Sequence, residues 1–314
     1  MNIMSKNIPT IIITGPTASG KTKLSLELAK NNNGEIINAD IMQMYEGFDI
    51  LKAMPSTEEK FEIKHYLFGV IKKETKFTVA DWIKLAKDKI SEIHEKGKVP
   101  IVVGGSGMYL NAAINGLSEI PEIKKVYRHK AEHSYRIKGF DFIFKKLIKI
   151  DKDFKIEKND RQRLIRAYEV FLQTGRSIKW WQNNSVNEPI IKNCLKILIS
   201  PPRDALYSFI DKRVDLMVEK GLINEAKNEM LNIVSFDNPS MKAIGIKYLN
   251  QYLNKEISLN DTLNLIKKDS RRYAKRQSTW FRNSFSYDII YNKIYTGDSK
   301  FTNKAVKALN LLYT

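Results

Sequence analysis

The chain has 314 residues, room for one large or two modest domains with a buried core. With 43% apolar and 28% charged residues it reads as globular and soluble, and no apolar run approaches the length of a membrane span. Lys and Arg total 53 against 35 acids, a net +18 that points to polyanions, nucleic acid first. Lysine-rich codon usage would give the same total, so the placement of charge weighs more than its sum. The one cysteine, Cys194, excludes an intrachain disulfide and a cysteine-based metal site, and it fits a reducing cytoplasm. Met1–Pro9 shows no signal-peptide-like apolar segment.

The first strong signal is Gly15-Pro16-Thr17-Ala18-Ser19-Gly20-Lys21-Thr22. It follows the apolar run Ile11-Ile12-Ile13-Thr14 and precedes a helix-like stretch from Lys23. Strand, glycine turn and helix around G-x-x-x-x-G-K-[ST] make a P-loop. Its backbone N–H groups converge on phosphate oxygens, aided by the positive end of the helix. Lys21 adds a full charge, and the Thr22 hydroxyl suits a magnesium ion bridging those oxygens. A di- or triphosphate ligand is expected, without saying which.

Glu35–Asp40 reads as a second strand ending in a carboxylate. At the ligand edge of a parallel sheet, Asp40 suits a catalytic base or a magnesium-associated acid; it suits a helix N-cap equally well. His65–Val70 is a short strand candidate, and Thr78–Asp81 a capping box opening a helix with one apolar face that ends near Gly97. His94, in its last turn, reads as a solvated or helix-end group. Val99–Leu110 repeats the strand, glycine turn, helix sequence, with Ser106 offering a hydroxyl at the sheet edge.

From about Asn115 to Asn193 the strand–helix alternation lapses and basic and aromatic residues dominate. Within it, Leu164, Tyr168 and Phe171 would face a core, with Gln162, Arg163 and Arg166 on the other side. Trp180-Trp181 could stack on bases, but packing is the commoner use. Strand character returns at Leu195–Ser200, and helices follow from Asp204, interrupted near Gly221. Lys242–Lys247 is a basic entry to another helix. In the helix Asp261–Arg282, Leu263, Ile266, Tyr273 and Trp280 form a stripe, while Lys267, Lys268, Arg271, Arg272, Lys275 and Arg276 suit a phosphate backbone.

The expected fold is α/β: a P-loop NTPase-like parallel sheet flanked by helices, with a mainly helical insertion domain. Residues 1–115 and 195–314 would form the core and 116–194 the insertion. Three classes fit these parts: an ATP-dependent P-loop kinase, an RNA-linked NTPase, or a transferase that grips a diphosphate leaving group. No apolar run ends in the second acid that an NTPase needs.

The ordered segments Gly15–Thr22, Asp40 with Gln43 and Tyr45, Phe77–Trp82, Gly104–Tyr109, Gln162–Arg166, Gly221–Ile223, Ala243–Gly245 and Lys275–Arg282 resemble the tRNA dimethylallyltransferases (isopentenyl-diphosphate:tRNA transferases), in their bacterial form. The resemblance implies transfer of a dimethylallyl group from dimethylallyl diphosphate to the exocyclic amine of the adenosine 3′-adjacent to the anticodon, in tRNAs reading codons that begin with U. It implies that Gly15, Pro16, Thr17, Ala18, Ser19, Gly20, Lys21 and Thr22 hold the diphosphate, with Mg2+ at Thr22. Asp40 would take the proton, and Ser106 and Arg128 would act near the leaving group. Asp40, Ile41, Met42 and Gln43, then Gln162, Arg163, Leu164, Ile165 and Arg166, then Lys242, Ala243, Ile244, Gly245, Ile246 and Lys247 match tRNA-contacting segments. A cytoplasmic monomer without membrane contact is expected. In this sequence Ile41 stands where the family usually has serine, Leu51-Lys52-Ala53-Met54 where Gly-Thr-Ala-Lys is usual, and Ile246 where tyrosine is frequent.

Overall fold

The isoleucine- and valine-rich runs become the centre of one parallel sheet. Its strands are β1 (Thr10–Thr14), β2 (Gly34–Asn38), β3 (His65–Tyr66), β4 (Val99–Gly104), β5 (Cys194–Ile199) and β6 (Ile289–Tyr291). They lie in the order β3-β2-β4-β1-β5-β6, every pairing parallel. The computed structural model describes residues 8–185, 187–231 and 235–313, so the N-terminal reading over 1–7 lies outside the described residues.

Every residue of β1, β2 and β4 is buried, as expected for parallel strands covered on both faces. Successive side chains alternate between the faces. Ile12, Ile37, Val102 and Leu198 pack with Trp82, Ala86 and Ile90 of the helix Val79–Glu95 and with Leu110 of Gly107–Asn115. Ile11, Ile13, Ile101 and Ile197 pack on the other face against Leu24 and Leu28 of Lys21–Asn31 and Ala305 and Leu309 of Ser299–Asn310. Each fully buried isoleucine contributes about 1.5–3 kcal/mol. A third core joins the helices Arg203–Glu219, Leu222–Met230, Ile246–Leu253 and Leu259–Ser284 through Val214, Met217, Leu222, Leu249 and Ile266.

The chain divides into two units, Met1–Ile114 with Ile190–Thr314, and Asn115–Pro189. The return falls at Ile190 rather than near residue 195 because Ile191 is buried in the first core and its amide donates to the Ala113 carbonyl at 3.1 Å. The second unit is helical, with Lys125–Ile150 broken at Gly139, Arg161–Thr174 and Ile178–Asn184. Its core includes Ile143, Leu147, Leu164, Ile165 and Tyr168.

Three local expectations change. The strand at His65 stops after Tyr66, because Leu67 (φ 64°) and Gly69 (φ 62°) turn left-handed. His94 is at a helix end but half-buried rather than solvated, and burial lowers its pKa. Trp180 is 38% exposed and meets Trp181 edge-on, so it is not a core residue.

Candidate active site

The P-loop leaves β1 at Thr14 and enters the helix Lys21–Asn31 through Gly20, whose φ of 95° suits glycine alone. A Cβ there would also overlap the Tyr295 carbonyl. The loop is braced from within and without. Ser19 N donates to the Pro16 carbonyl at 3.3 Å, and Lys21 Nζ to the same oxygen at 2.7 Å. Thr17 N donates to Gln277 Oε1 at 2.8 Å, and Arg213 donates to Thr17 Oγ1 at 2.8 Å.

Beside the loop lies a cavity of about 910 Å³ lined by Thr17–Thr22, Asp40–Gln43, Gly104, Gly105, Arg213, Lys242–Ile244, Tyr273 and Arg276. Asp40 enters it from the end of β2. The cap reading of this residue is met, and capping does not take it out of the cavity. Asp40 caps the short helix Ile41–Met44, accepting the Met42 amide at 3.0 Å, and its carboxylate still lines the cavity. Its backbone is fixed by Asn38, fully buried, which accepts Asp40 N at 2.8 Å and donates to the carbonyls of Asp40 and Leu67, both at 2.9 Å. Trp82 Nε1 holds the Asn38 carbonyl at 2.9 Å.

Burial and charge set the protonation of the site. Burial lowers the Lys21 ammonium to about 8, opposed by Asp40 and assisted by Arg213. Burial raises the Asp40 carboxyl, opposed by Lys21, the Met42 amide and Arg213. Burial also lowers Arg213, opposed by Asp40. Lys21, Arg213, Lys242 and Arg276 therefore share one cavity with Asp40, which leaves it with surplus positive charge. Ser19 Oγ and Arg213 Nε are buried without a partner among the described residues, and buried polar atoms ordinarily have one.

Ser106 does not line that cavity; its hydroxyl accepts the Ile41 amide at 3.3 Å, and its own amide donates to the Ala39 carbonyl at 3.2 Å, so it ties the β4 turn to the Asp40 cap. Gln43 lines the cavity but is tied back at its amide nitrogen. Its Nε2 donates to the carbonyls of Lys52 (3.0 Å) and Ala53 (2.8 Å). The Glu225 carboxylate holds the same loop at the amides of Ile50 (2.6 Å) and Leu51 (3.0 Å). Lys242, Ala243 and Ile244 line the cavity, whereas Ile246 is buried in the helical core.

Arg128 and Gln162–Arg166 belong to the second unit. Arg128 donates to Glu132 (2.7 Å) and to the buried Glu169 (3.1 Å), and Arg166 donates to Glu169 (2.8 Å). Leu164 and Ile165 are buried in that unit's core, so they position the helix instead of meeting RNA; Gln162 and Arg163 are exposed. The basic helix is also less free than its sequence suggests: Lys267 pairs with Asp215 (2.6 Å), Arg271 with Asp211 (2.7 Å) and Arg272 with Asp269 (3.3 Å).

Sequence reasoning missed Arg213 and Gln277. Arg213 sits among Ile210, Val214 and Met217, a charge on an apolar helix face. Gln277 lies in the buried stripe Thr262, Ile266, Ser270, Ala274, Gln277, Phe281 of its helix. The sequence expected Leu263, Tyr273 and Trp280 in that stripe; they flank it instead.

The parallel sheet, the loop after β1 and the acid after β2 define a P-loop α/β protein. The model of the IPP transferase family matches residues 43–284, and the chain belongs to that family. A tRNA dimethylallyltransferase of Acetivibrio thermocellus is 44% identical over 295 residues, 92% of this chain and 94% of the relative. One from Ehrlichia chaffeensis is 38% identical over 282 residues, 90% and 93%. The full-length tRNA isopentenylpyrophosphate transferase of Bacillus halodurans matches with a TM-score of 0.67 at 38% identity, covering 97% of this chain and 95% of that one. A eukaryotic dimethylallyltransferase acting on tRNA gives 0.81 at 26% identity, covering 96% and 78%.

Proposed function

We propose that this protein transfers the dimethylallyl group of dimethylallyl diphosphate to the exocyclic amine of the adenosine 3′-adjacent to the anticodon in tRNAs reading codons that begin with U. The observation that carries the reading is one cavity in which a P-loop and the Asp40 carboxylate face each other. The P-loop amides and Lys21 hold the diphosphate, and Arg213 faces the same space. The amine nitrogen attacks the allylic carbon, the carbon–oxygen bond breaks, and the diphosphate leaves with its electron pair. Asp40 accepts the proton that the nitrogen loses. Lys21 and Arg213 stabilise the negative charge growing on the leaving group. Ser106 acts through Asp40, by holding the cap that positions it.

The donor set suits magnesium. Thr22 and Asp40 both line the cavity and offer hard oxygen donors, and the described residues contain no cluster of three His, Cys, Asp or Glu. A hard cation that takes most of its oxygens from substrate and water fits such a site. Thr22 would hold it, and it would mask charge on the diphosphate.

Gln162, Arg163 and Arg166, together with Lys242, Ile244 and Lys247, would meet the tRNA. The adenosine must leave the anticodon-loop stack to reach a cavity, as base-modifying enzymes require. A cytoplasmic monomer is part of this proposal, the single cysteine suiting a reducing compartment. The test mixes protein, magnesium, labelled dimethylallyl diphosphate and an anticodon stem-loop. Label on the exocyclic nitrogen is expected. No label, together with phosphate release from ATP, would favour a kinase or NTPase instead.

A further inference from the structure

We infer that Glu225, which does not itself line the cavity, is a positioning residue for the cavity's RNA-facing wall. Its carboxylate sets the segment 50–53 against the two stretches that flank it, 41–43 and 242–245. The inference rests on the transfer reading above and adds a residue that acts on it from behind the wall.

Segment 50–53 is a turn that no helix or strand continues. The amides of Lys52, Ala53 and Met54 are spent inside it, on the carbonyls of Phe48 (3.0 Å), Ile50 (3.0 Å) and Asp49 (2.9 Å). Those of Ile50 and Leu51 resemble the first amides of a helix, which have no partner within their own turn. Glu225, in the first turn of the helix Leu222–Met230, takes both, at 2.6 and 3.0 Å. Hydrogen bonds to a carboxylate are about twice as strong as neutral ones. At the far end Gln43 Nε2 holds the carbonyls of Lys52 (3.0 Å) and Ala53 (2.8 Å). The turn needs such holds. Phe48 and Ala53 are both left-handed, at φ 53°, a conformation that persists in residues with a side chain only where the surroundings impose it.

The turn so held is a wall of the cavity. Leu51, Lys52 and Ala53 line it together with Met42, Gln43 and Ile244. Leu51 is 7% exposed and shares a core with Met241, Ala243 and Ile246, against which Met42 packs. A Cβ at Gly245 would come within 2.8 Å of Leu51 Cδ1, so the turn lies hard against that stretch. The P-loop is not part of this core; it is braced by Gln277 and Arg213 at Thr17. Loosening the turn therefore shifts the surface that meets the base and leaves the diphosphate cradle as it is. A displacement of about 1 Å at such a surface is enough to cost binding and rate.

The experiment compares Glu225→Gln with wild type. Glutamine keeps the shape and one acceptor, and sets an NH2 group against the second amide. Two quantities are read: the KM for an anticodon stem-loop in transfer of labelled dimethylallyl, and the affinity for inorganic pyrophosphate with magnesium. The KM should rise by about tenfold or more, the size of one hydrogen bond to a charged group, while pyrophosphate affinity stays within about twofold. A loss of folded protein alone would lower the active fraction and leave both values where they were. A folded Glu225→Gln protein with an unchanged KM overturns the inference, as does an equal loss of pyrophosphate affinity. No transfer by wild type would instead overturn the transferase reading itself, and this inference with it. Should the variant not fold, backbone amide resonances of the wild type decide. Those of Leu51, Lys52 and Ala53 should move on adding the stem-loop and stay on adding pyrophosphate; no shift with the stem-loop, or an equal shift with pyrophosphate, overturns the proposal.

Discussion

Asn38→Asp changes one atom's chemistry at the residue that holds Asp40, and its cost can be worked from the contacts. The native amide donates to two carbonyls, Asp40 and Leu67, each at 2.9 Å, and accepts from Asp40 N at 2.8 Å. A carboxylate keeps the acceptor but loses both donors, and sets an oxygen against two carbonyl oxygens. Asn38 is fully buried, so neither carbonyl can turn to water. Each lost partner costs about 1–3 kcal/mol, giving roughly 2–6 kcal/mol. For a unit of this size that is a fall in melting temperature of about 4–24 °C. Scanning calorimetry measures it, and pyrophosphate binding and prenyl transfer should be followed on the same sample. Transfer should fall more than binding, because Asp40 loses its backbone support while the P-loop does not. The new carboxyl is disfavoured in its charged form by burial, so its folded pKa lies above the unfolded one. Its stability deficit therefore grows as pH rises past the unfolded value and shrinks in acid. A melting temperature within 1–2 °C of wild type at pH 7, on the scale just given, would refute the view that Asn38 holds the Asp40 turn.

Further outcomes follow from the same geometry. Lys21, lowered by burial to about 8, is partly neutral at pH 8.5 in the ligand-free protein. An anion favours its charged form, so pyrophosphate binding at that pH should take up protons, read by calorimetry in buffers of different ionisation enthalpy. Because the folded value lies below the ordinary lysine value of 10.5, the unfolded chain binds more protons between the two, and the ligand-free protein should gain stability as pH rises above 8. Glu169→Gln removes the buried carboxylate that Arg128 and Arg166 share, and should speed amide exchange in Arg161–Thr174 by about tenfold or more. Arg163→Ala, at an exposed position that pairs with Asp160 at 3.4 Å, should weaken tRNA binding and reduce its salt slope by about one if it meets a phosphate.

What was legible in the sequence was local. Gly15–Thr22 announces itself because its turn, its charge and its flanking strand and helix are contiguous, and Asp40 because it ends a strand that reads as apolar. The capping box at Thr78 and Asp81 formed for the same reason. What escaped depends on which helices pack together. Arg213 and Thr17 are 196 residues apart, and Gln277 and Thr17 are 260 apart. Their signal was a polar side chain in an apolar stripe, which sequence alone leaves without a partner. The basic helix was over-read for a related reason: Asp211 and Asp215, which pair with Arg271 and Lys267, lie on another helix. Gln43 lines the cavity, but nothing in the sequence signals that its amide nitrogen is held by the carbonyls of Lys52 and Ala53.

The central claim is that Asp40 is the proton acceptor of a prenyl transfer whose diphosphate is held by the loop opposite. Asp40→Asn keeps the side chain's shape and its capping oxygen while removing the base. The decisive measurement is single-turnover transfer of labelled dimethylallyl to an anticodon stem-loop by wild type and by Asp40→Asn, with pyrophosphate affinity measured for both. The account expects transfer to fall by about 10²-fold or more, the usual size of general-base catalysis, with pyrophosphate affinity changed by only a few-fold. Transfer retained in the variant, or pyrophosphate binding lost together with it, would contradict that role and move Asp40 to another part of the site.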